Sequence, residues 1–520
     1  MSTLLVLPLL PLAVAGWLAL SPRADQMSVG WVVALVAAFP VAMAALAAPD
    51  RMELPELLVQ GNAALVFDPV ARAALVLFGG LWLTTGLLLT RTKDPAPSLF
   101  ALLVALSGAL TLAVAEGGAL VYAGLLATGY GVYAIMAGEP GDGWRRAGRA
   151  LIVLLVLSDL LVFELLLSAA ANPGTAPQAG LMFLGLAALV LRAGIPPAHA
   201  WLPPALAAVG TPVALLLVAV LPAAAVFAAL KLLPAGSREI GIACLALSIA
   251  GAAWVTLAGL AQSGARATLG YATAATATLL LLALPAGAGA EGELAWLVVA
   301  LLGACAALPL VPLQRTGWIR DLATALALLV HGLAAGHAVQ HAVQALPLWA
   351  AVFAPLPAVG AVFLLTLAAR RTAATAGDDA AFEPTRLNLL PVLLAAIGLG
   401  LAWTAYPPRF ASTWVAPVGI TLGLLAFRLL PSQARSRIPP GDLLGIVERI
   451  VALPLRWLET LCVRLLPRLR ERCEVWLLGL WDGAAWSRRI QRLDLRLRAW
   501  PSTGLMMILV ALGAAFLLAK

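Results

Sequence analysis

Apolar runs of bilayer length recur along almost the whole chain. They lie near residues 3–21, 28–48, 69–90, 99–115, 118–137, 150–170 and 178–193. Others follow near 211–233, 239–261, 267–286, 294–313, 322–342, 346–369, 387–405, 412–430 and 503–519. A run of about 20 apolar residues spans a hydrocarbon core as a helix. A backbone in lipid must satisfy its own hydrogen bonds, which leaves helices or closed barrels, and the alternating pattern of a barrel is missing. The expected fold is therefore all-α: a polytopic membrane bundle of about 14–16 spans. A soluble core is excluded by composition, since 62% of the 520 residues are hydrophobic and 11% charged.

Most of the charge lies between the runs. Arg145, Arg146 and Arg149 place the loop after residue 137 on the cytoplasmic side by the positive-inside rule. The formal net charge of +8 could suggest nucleic acid, but residues 435–498 hold 13 Arg against 7 Asp or Glu. That is the pattern of a membrane-surface or partner-facing segment, so no nucleic-acid partner is expected. In the same region Leu443, Val447, Ile450, Leu458 and Leu461 alternate with Arg449, Arg456, Glu459 and Arg464. This reads as a C-terminal amphipathic surface helix, broken near Pro454 and Pro467. Three regions result: a transmembrane bundle over 1–430, a basic surface segment over 431–500 and a last span over 501–520. The first run has no basic residues before it and reads as a span rather than a cleaved leader. Cys244, Cys305, Cys462 and Cys473 form no CxxC pair, so neither an iron–sulfur nor a disulfide framework is implied.

The most informative stretch is Leu191–Lys231, LRAGIPPAHAWLPPALAAVGTPVALLLVAVLPAAAVFAALK. Gly194, Pro196, Pro197, Pro203 and Pro204 cannot all continue one regular helix, so a break is expected over 194–204. Irregular backbone at membrane depth survives only inside protein or beside a wet cavity, and broken helices form ion and substrate sites in transporters. Arg192 and His199 flank this break. The stretch resembles the signature of the proton-conducting membrane transporter family, which includes the antiporter-like subunits of complex I and of multisubunit cation/proton antiporters. Pro197, His199, Trp201, Leu202, Pro203, Thr211 and Pro212 match its pattern, and Arg192 falls where the family has its central lysine. Asp68 in VFDPVARAALVLF, Ser158–Asp159, and Arg266 with Tyr271 in AQSGARATLGYATAATATLLLLAL are similar to further family segments.

That resemblance implies a half-channel in which a membrane glutamate tunes lysines that pass protons. Here the set is depleted. The family's glutamate falls on Leu126 and its second lysine on Ala223. Pro204 and Gly264 stand where it has aspartates, and Leu346–Leu367 carries no charge. Arginine keeps its proton and is a poor relay. Arg192 is instead expected to be a fixed charge, with Asp159 as first choice of partner and Glu164 as second. Those two carboxylates stand about 500° of helical turn apart, so one at most meets Arg192.

Other candidate ion-pathway residues are Lys231, His331, His337 and His341. Lys231 ends its span and is expected to extend to the surface. His337 and His341 are four apart and share a helix face. They could serve a proton wire or a quinone- or metal-facing patch, or could simply pack; no third ligand is evident in the sequence, and no metal is expected. His199 either lines a hydrated cavity or caps the broken helix. Asp68 and Arg72, also four apart, suggest a helix ion pair. No nucleotide fingerprint, phosphate loop or nucleophile elbow is present, so neither a cofactor nor catalysis by this chain is expected. The resulting expectation is a multi-pass subunit of a bacterial inner membrane, lying in the lipid bilayer with other membrane subunits as partners. Protons or monovalent cations are the candidate ions. Its setting would be a complex I-like assembly, a cation/proton antiporter or an inorganic-carbon uptake system. Its channel would be degenerate.

Overall fold

A computed structural model describes residues 3–20, 29–54, 63–90, 98–139, 143–171, 179–233, 238–286, 290–313, 317–347, 351–375 and 413–429. All lie in one compact unit, Met1–Asp442. The expected run at 387–405, the amphipathic segment at 431–500 and the span at 503–519 lie outside the described residues.

The described chain is a helical membrane bundle. Its helices are α1 (Thr3–Leu20), α2 (Val29–Leu46), α3 (Pro69–Leu89), α4 (Leu99–Val114), α5 (Gly118–Ala137), α6 (Gly143–Ala171), α7 (Ala179–Ala193), α8 (Leu202–Ala208) and α9 (Thr211–Leu232). Then come α10 (Arg238–Leu260), α11 (Ala265–Ala283), α12 (Glu291–Ala307), α13 (Gly317–Ala345), α14 (Pro355–Thr375) and α15 (Val415–Leu429). Ten segments are long and apolar enough to cross a membrane, and α1, α4 and α15 supply shorter apolar helices. A small antiparallel sheet of β1 (Asp50–Glu53), β2 (Ala64–Phe67) and β3 (Ala115–Glu116) joins them. Its strands are two to four residues long, too short to leave a period-2 pattern in the sequence.

α9, whose one charged residue is Lys231 in its last turn, is the axis of the bundle. Val213–Ala229 is buried throughout, and α3, α4, α5, α7 and α12 pack around it. The outer helices turn large apolar side chains outward instead, such as Leu35 on α2, Leu160 on α6 and Leu257 on α10. Apolar residues on both inside and outside are what a bundle in lipid requires.

The helix break lies where the prolines put it. α7 stops at Ala193; Gly194 takes φ +67, a left-handed conformation that favours glycine. Ala198–Trp201 makes one 3-10 turn, and α8 restarts at Leu202. Pro203 and Pro204 fall in the first turn of α8, where the missing N–H has no helical acceptor to lose. The helix therefore resumes before these prolines rather than after them.

Side-chain bonds identify the two ends of the bundle. At one end Glu139 accepts from the Gly210 N–H at 2.7 Å. There Arg266 donates to the Val209 carbonyl and to Thr211 Oγ1, and Arg371 donates to Thr268 Oγ1 at 2.6 Å. The N-termini of α6, α9 and α11 and the C-termini of α10 and α14 meet here. The sheet, the C-termini of α4, α9 and α13 and the N-terminus of α12 lie at the other end. Among described residues, Arg145, Arg146, Arg149, Arg266, Arg370 and Arg371, with Glu139, belong to the first end; Asp50, Glu53, Asp68, Glu116, Glu291 and Glu293, with Arg51, Arg72 and Lys231, belong to the second.

Asp68 and Arg72 do not form the expected pair. Asp68 caps α3 by accepting from the Ala71 N–H at 2.6 Å. Arg72 donates to the Ala47 carbonyl at 2.8 Å and lies over the Phe67 ring. A capping carboxylate is committed to the helix N-terminus and points away from the next turn.

Candidate functional site

The last turn of α7 carries Arg192 into the interior just before the break, and its side chain is 1% exposed. A guanidinium has five donors in a fixed plane and needs acceptors around it when dehydrated. Three elements provide them. Asp159 of α6 accepts from Nη2. Ser158 Oγ accepts from Nε at 3.4 Å while donating to the Ala188 carbonyl at 2.8 Å. The Leu125 carbonyl of α5 accepts from Nη1 at 2.8 Å. Gly129 leaves room for this, since a Cβ there would stand 2.5 Å from Nη1. Tyr122 and Tyr130 of α5 lie close by. Chemically the arrangement is a neutralised, immobile ion pair, because the cation never releases its proton.

Glu164 takes no part. It is exposed on the face of α6 that also carries Leu157, Leu160 and Leu167, and five residues of helix turn it away from Asp159.

Beyond the break, His199 is fully buried on the 3-10 turn, with its ring centroid 5.6 Å from that of Tyr271 on α11. α11 bears several hydroxyls that meet different neighbours. Thr268 meets Arg371, Tyr271 meets His199, and Thr276 Oγ1 lies 3.0 Å from His331 Nε2 of α13 and 3.4 Å from Cys305 Sγ of α12. Thr268 to Thr276 covers about 12 Å of helix rise. Both end hydroxyls also donate to their own helix, to the Gly264 and Ala272 carbonyls.

Lys231 departs from the sequence expectation. It donates to the Ala113 and Ala115 carbonyls at 2.9 and 2.7 Å, closing the C-terminus of α4 rather than extending to the surface. Those carbonyls lack helical partners and suit a cation.

His337 and His341 share a face of α13, and Glu293 from the first turn of α12 joins them. The nearest Glu293 oxygen is 2.9 Å from His341 Nε2 and 3.8 Å from His337 Nε2. Sequence reasoning missed this carboxylate, which lies 44 residues before His337 in a short acidic loop end.

The structure thus brings Arg192 together with Asp159, His199 with Tyr271, and His337 with His341. His331 sits with Thr276. Leu126 is half-buried on α5, and Ala223 is buried on α9; neither position has a group that can carry a proton.

Residues 149–313, from α6 to the turn after α12, match the family model described as NADH:quinone oxidoreductase/Mrp antiporter, transmembrane. The fold is similar to a chain of the Mrp complex from Dietzia sp. DQ12-45-1b, with a TM-score of 0.64 and 16% identity over 100% of this chain. This chain spans 63% of the length of that one. It is also similar to a chain of respiratory complex I from Thermus thermophilus, with a TM-score of 0.52 and 22% identity over 86% of this chain and 98% of that one. No curated protein matches.

Proposed function

We propose that this chain, which carries the transmembrane module of the NADH:quinone oxidoreductase/Mrp antiporter family at residues 149–313, is a membrane subunit of a multisubunit complex I-like assembly in which it holds its neighbours or couples them without passing protons. One observation carries the reading: the buried charge at the helix break is an arginine neutralised by Asp159 and bound to Ser158 and Leu125. A relay must gain and lose a proton. Around Arg192 the remaining groups are a serine, a backbone carbonyl and phenols, and Leu126 and Ala223 add none.

The arginine-rich end of the bundle, with Arg145, Arg146, Arg149, Arg266, Arg370 and Arg371, faces the cytoplasm of a bacterial inner membrane in this reading. The outward-facing Leu157, Leu160 and Leu167 on α6 meet lipid or a neighbouring subunit.

A second reading, a subunit of a multisubunit cation/proton antiporter, is favoured by the Mrp likeness, which extends over the full chain. Affinity purification of the native assembly under mild detergent separates the two. Flavin and iron–sulfur proteins as co-purifying partners support the first. Small membrane proteins without redox groups support the second. A chain recovered alone, from membranes where other complexes survive extraction, overturns both.

A further inference from the structure

We propose that Glu293, His337 and His341 form a binding site for a divalent transition-metal ion of the zinc class. The cluster lies at the acidic end of the bundle, away from Arg192 and the helix break.

The ligand atoms converge. His337 and His341 turn their Nε2 atoms toward each other at 3.2 Å, with rings nearly perpendicular and centroids 4.7 Å apart. The Glu293 oxygen stands 2.9 Å from one and 3.8 Å from the other. All three donor atoms lie within 4.8 Å of one another. Ligand atoms about 2.0–2.1 Å from one tetrahedral ion stand roughly 3.3–3.4 Å apart. The three separations here straddle that value, so an ion at their centre needs only small rotations of the side chains.

The donor set selects the ion. Two imidazole nitrogens and one carboxylate suit zinc, cobalt or nickel, whereas magnesium and calcium prefer oxygen throughout. An ionised carboxylate oxygen is an acceptor only, so either a histidine N–H or a bound cation must face it. The i, i+4 histidine pair is fixed by the helix, and α12 packs beside α13. The Glu293 side chain is 36% exposed against 8% for His341. The ion would therefore enter from the Glu293 side, and its fourth position would face outward, open to water or another small ligand. Bound there, the ion would tie the start of α12 to the end of α13.

The test uses the full-length chain without a polyhistidine tag, purified in detergent. Cobalt(II) is titrated while its visible absorption is followed, then displaced by zinc; magnesium and calcium serve as controls. The expected result is a saturable tetrahedral cobalt spectrum at one ion per chain, displaced by zinc and unaffected by magnesium or calcium. Glu293→Gln, His337→Asn and His341→Asn should each weaken binding by at least about tenfold, since even outer-shell losses cost that much. Glu293→Cys keeps a ligand and should add a thiolate-to-cobalt charge-transfer band, which a purely structural glutamate would not produce. No tetrahedral spectrum from the folded wild-type chain would overturn the proposal and leave a histidine N–H facing the carboxylate. So would binding that all three variants retain, which would place the metal elsewhere.

Discussion

Arg192 reaches from the last turn of α7 to Asp159 on α6, 33 residues earlier, and the two form an ion pair that is almost wholly excluded from the surface. Removing one member leaves the other charge buried without compensation, at a cost of about 3–5 kcal/mol. Arg192→Met and Asp159→Leu alone should each lower the melting temperature and the amount of folded chain. The double variant should recover much of that loss, because an apolar replacement of both carries no stranded charge. A double-mutant cycle on thermal unfolding measures this coupling. Additive losses would mean that the two residues act separately.

The glycine before the prolines makes a second test. Gly194 holds φ +67 beside the Trp201 indole. Any side chain there pays roughly 1–2 kcal/mol for a left-handed conformation. Gly194→Ala should therefore destabilise the chain by about that amount, whereas Gly180→Ala, where an added Cβ meets nothing within 4 Å, should be nearly neutral. Comparable thermal shifts for the two would contradict the geometry of the break.

Lys231 provides a third. Its ammonium bonds the Ala113 and Ala115 carbonyls across 116–118 residues of sequence. Lys231→Met keeps the length of the stem but leaves those acceptors unpaired, a loss of about 1–3 kcal/mol. Hydrogen exchange near the C-terminus of α4 and in β3 should rise with it. A side chain that merely reached water would produce neither change.

What the sequence revealed and concealed follows from the range of each interaction. The break was legible because proline and glycine act locally, on their own dihedral angles and on the bonds of one turn. The Asp159–Arg192 pair was legible because an unpaired guanidinium at membrane depth is too costly to leave, and helical rotation separates Asp159 from Glu164. The inward turn of Lys231 was not, because its acceptors are backbone carbonyls that carry no residue signature. Glu293 was hidden for a related reason: consecutive antiparallel spans bring the start of α12 and the end of α13 to one end of the bundle, but the rotation of each helix, which decides whose side chains meet, carries no local signature. Asp68 and Arg72 misled because spacing alone does not reveal that an aspartate at the first turn is already committed to capping.

Mechanism gives the last prediction: the isolated chain does not carry protons across a membrane. A path requires groups that both take up and release a proton near neutral pH, or unbroken water between them. Arg192 is fixed on Asp159, Ser158 and the Leu125 carbonyl. His199 is enclosed against Tyr271. The next histidine to meet α11 is His331 of α13, held at Thr276, and the hydroxyls of Thr268 and Thr276 donate back to their own helix. Each of these hydroxyls is thus engaged locally instead of being free to hand a proton onward. The purified chain in liposomes, with a pH-sensitive dye inside and an imposed gradient, should show flux no greater than protein-free vesicles plus a denatured control. His199→Ala should change nothing in that assay. Proton flux that exceeds the controls and disappears in His199→Ala would mean that His199, Tyr271 and the α11 hydroxyls form a rewired channel, with Arg192 as its fixed electrostatic barrier.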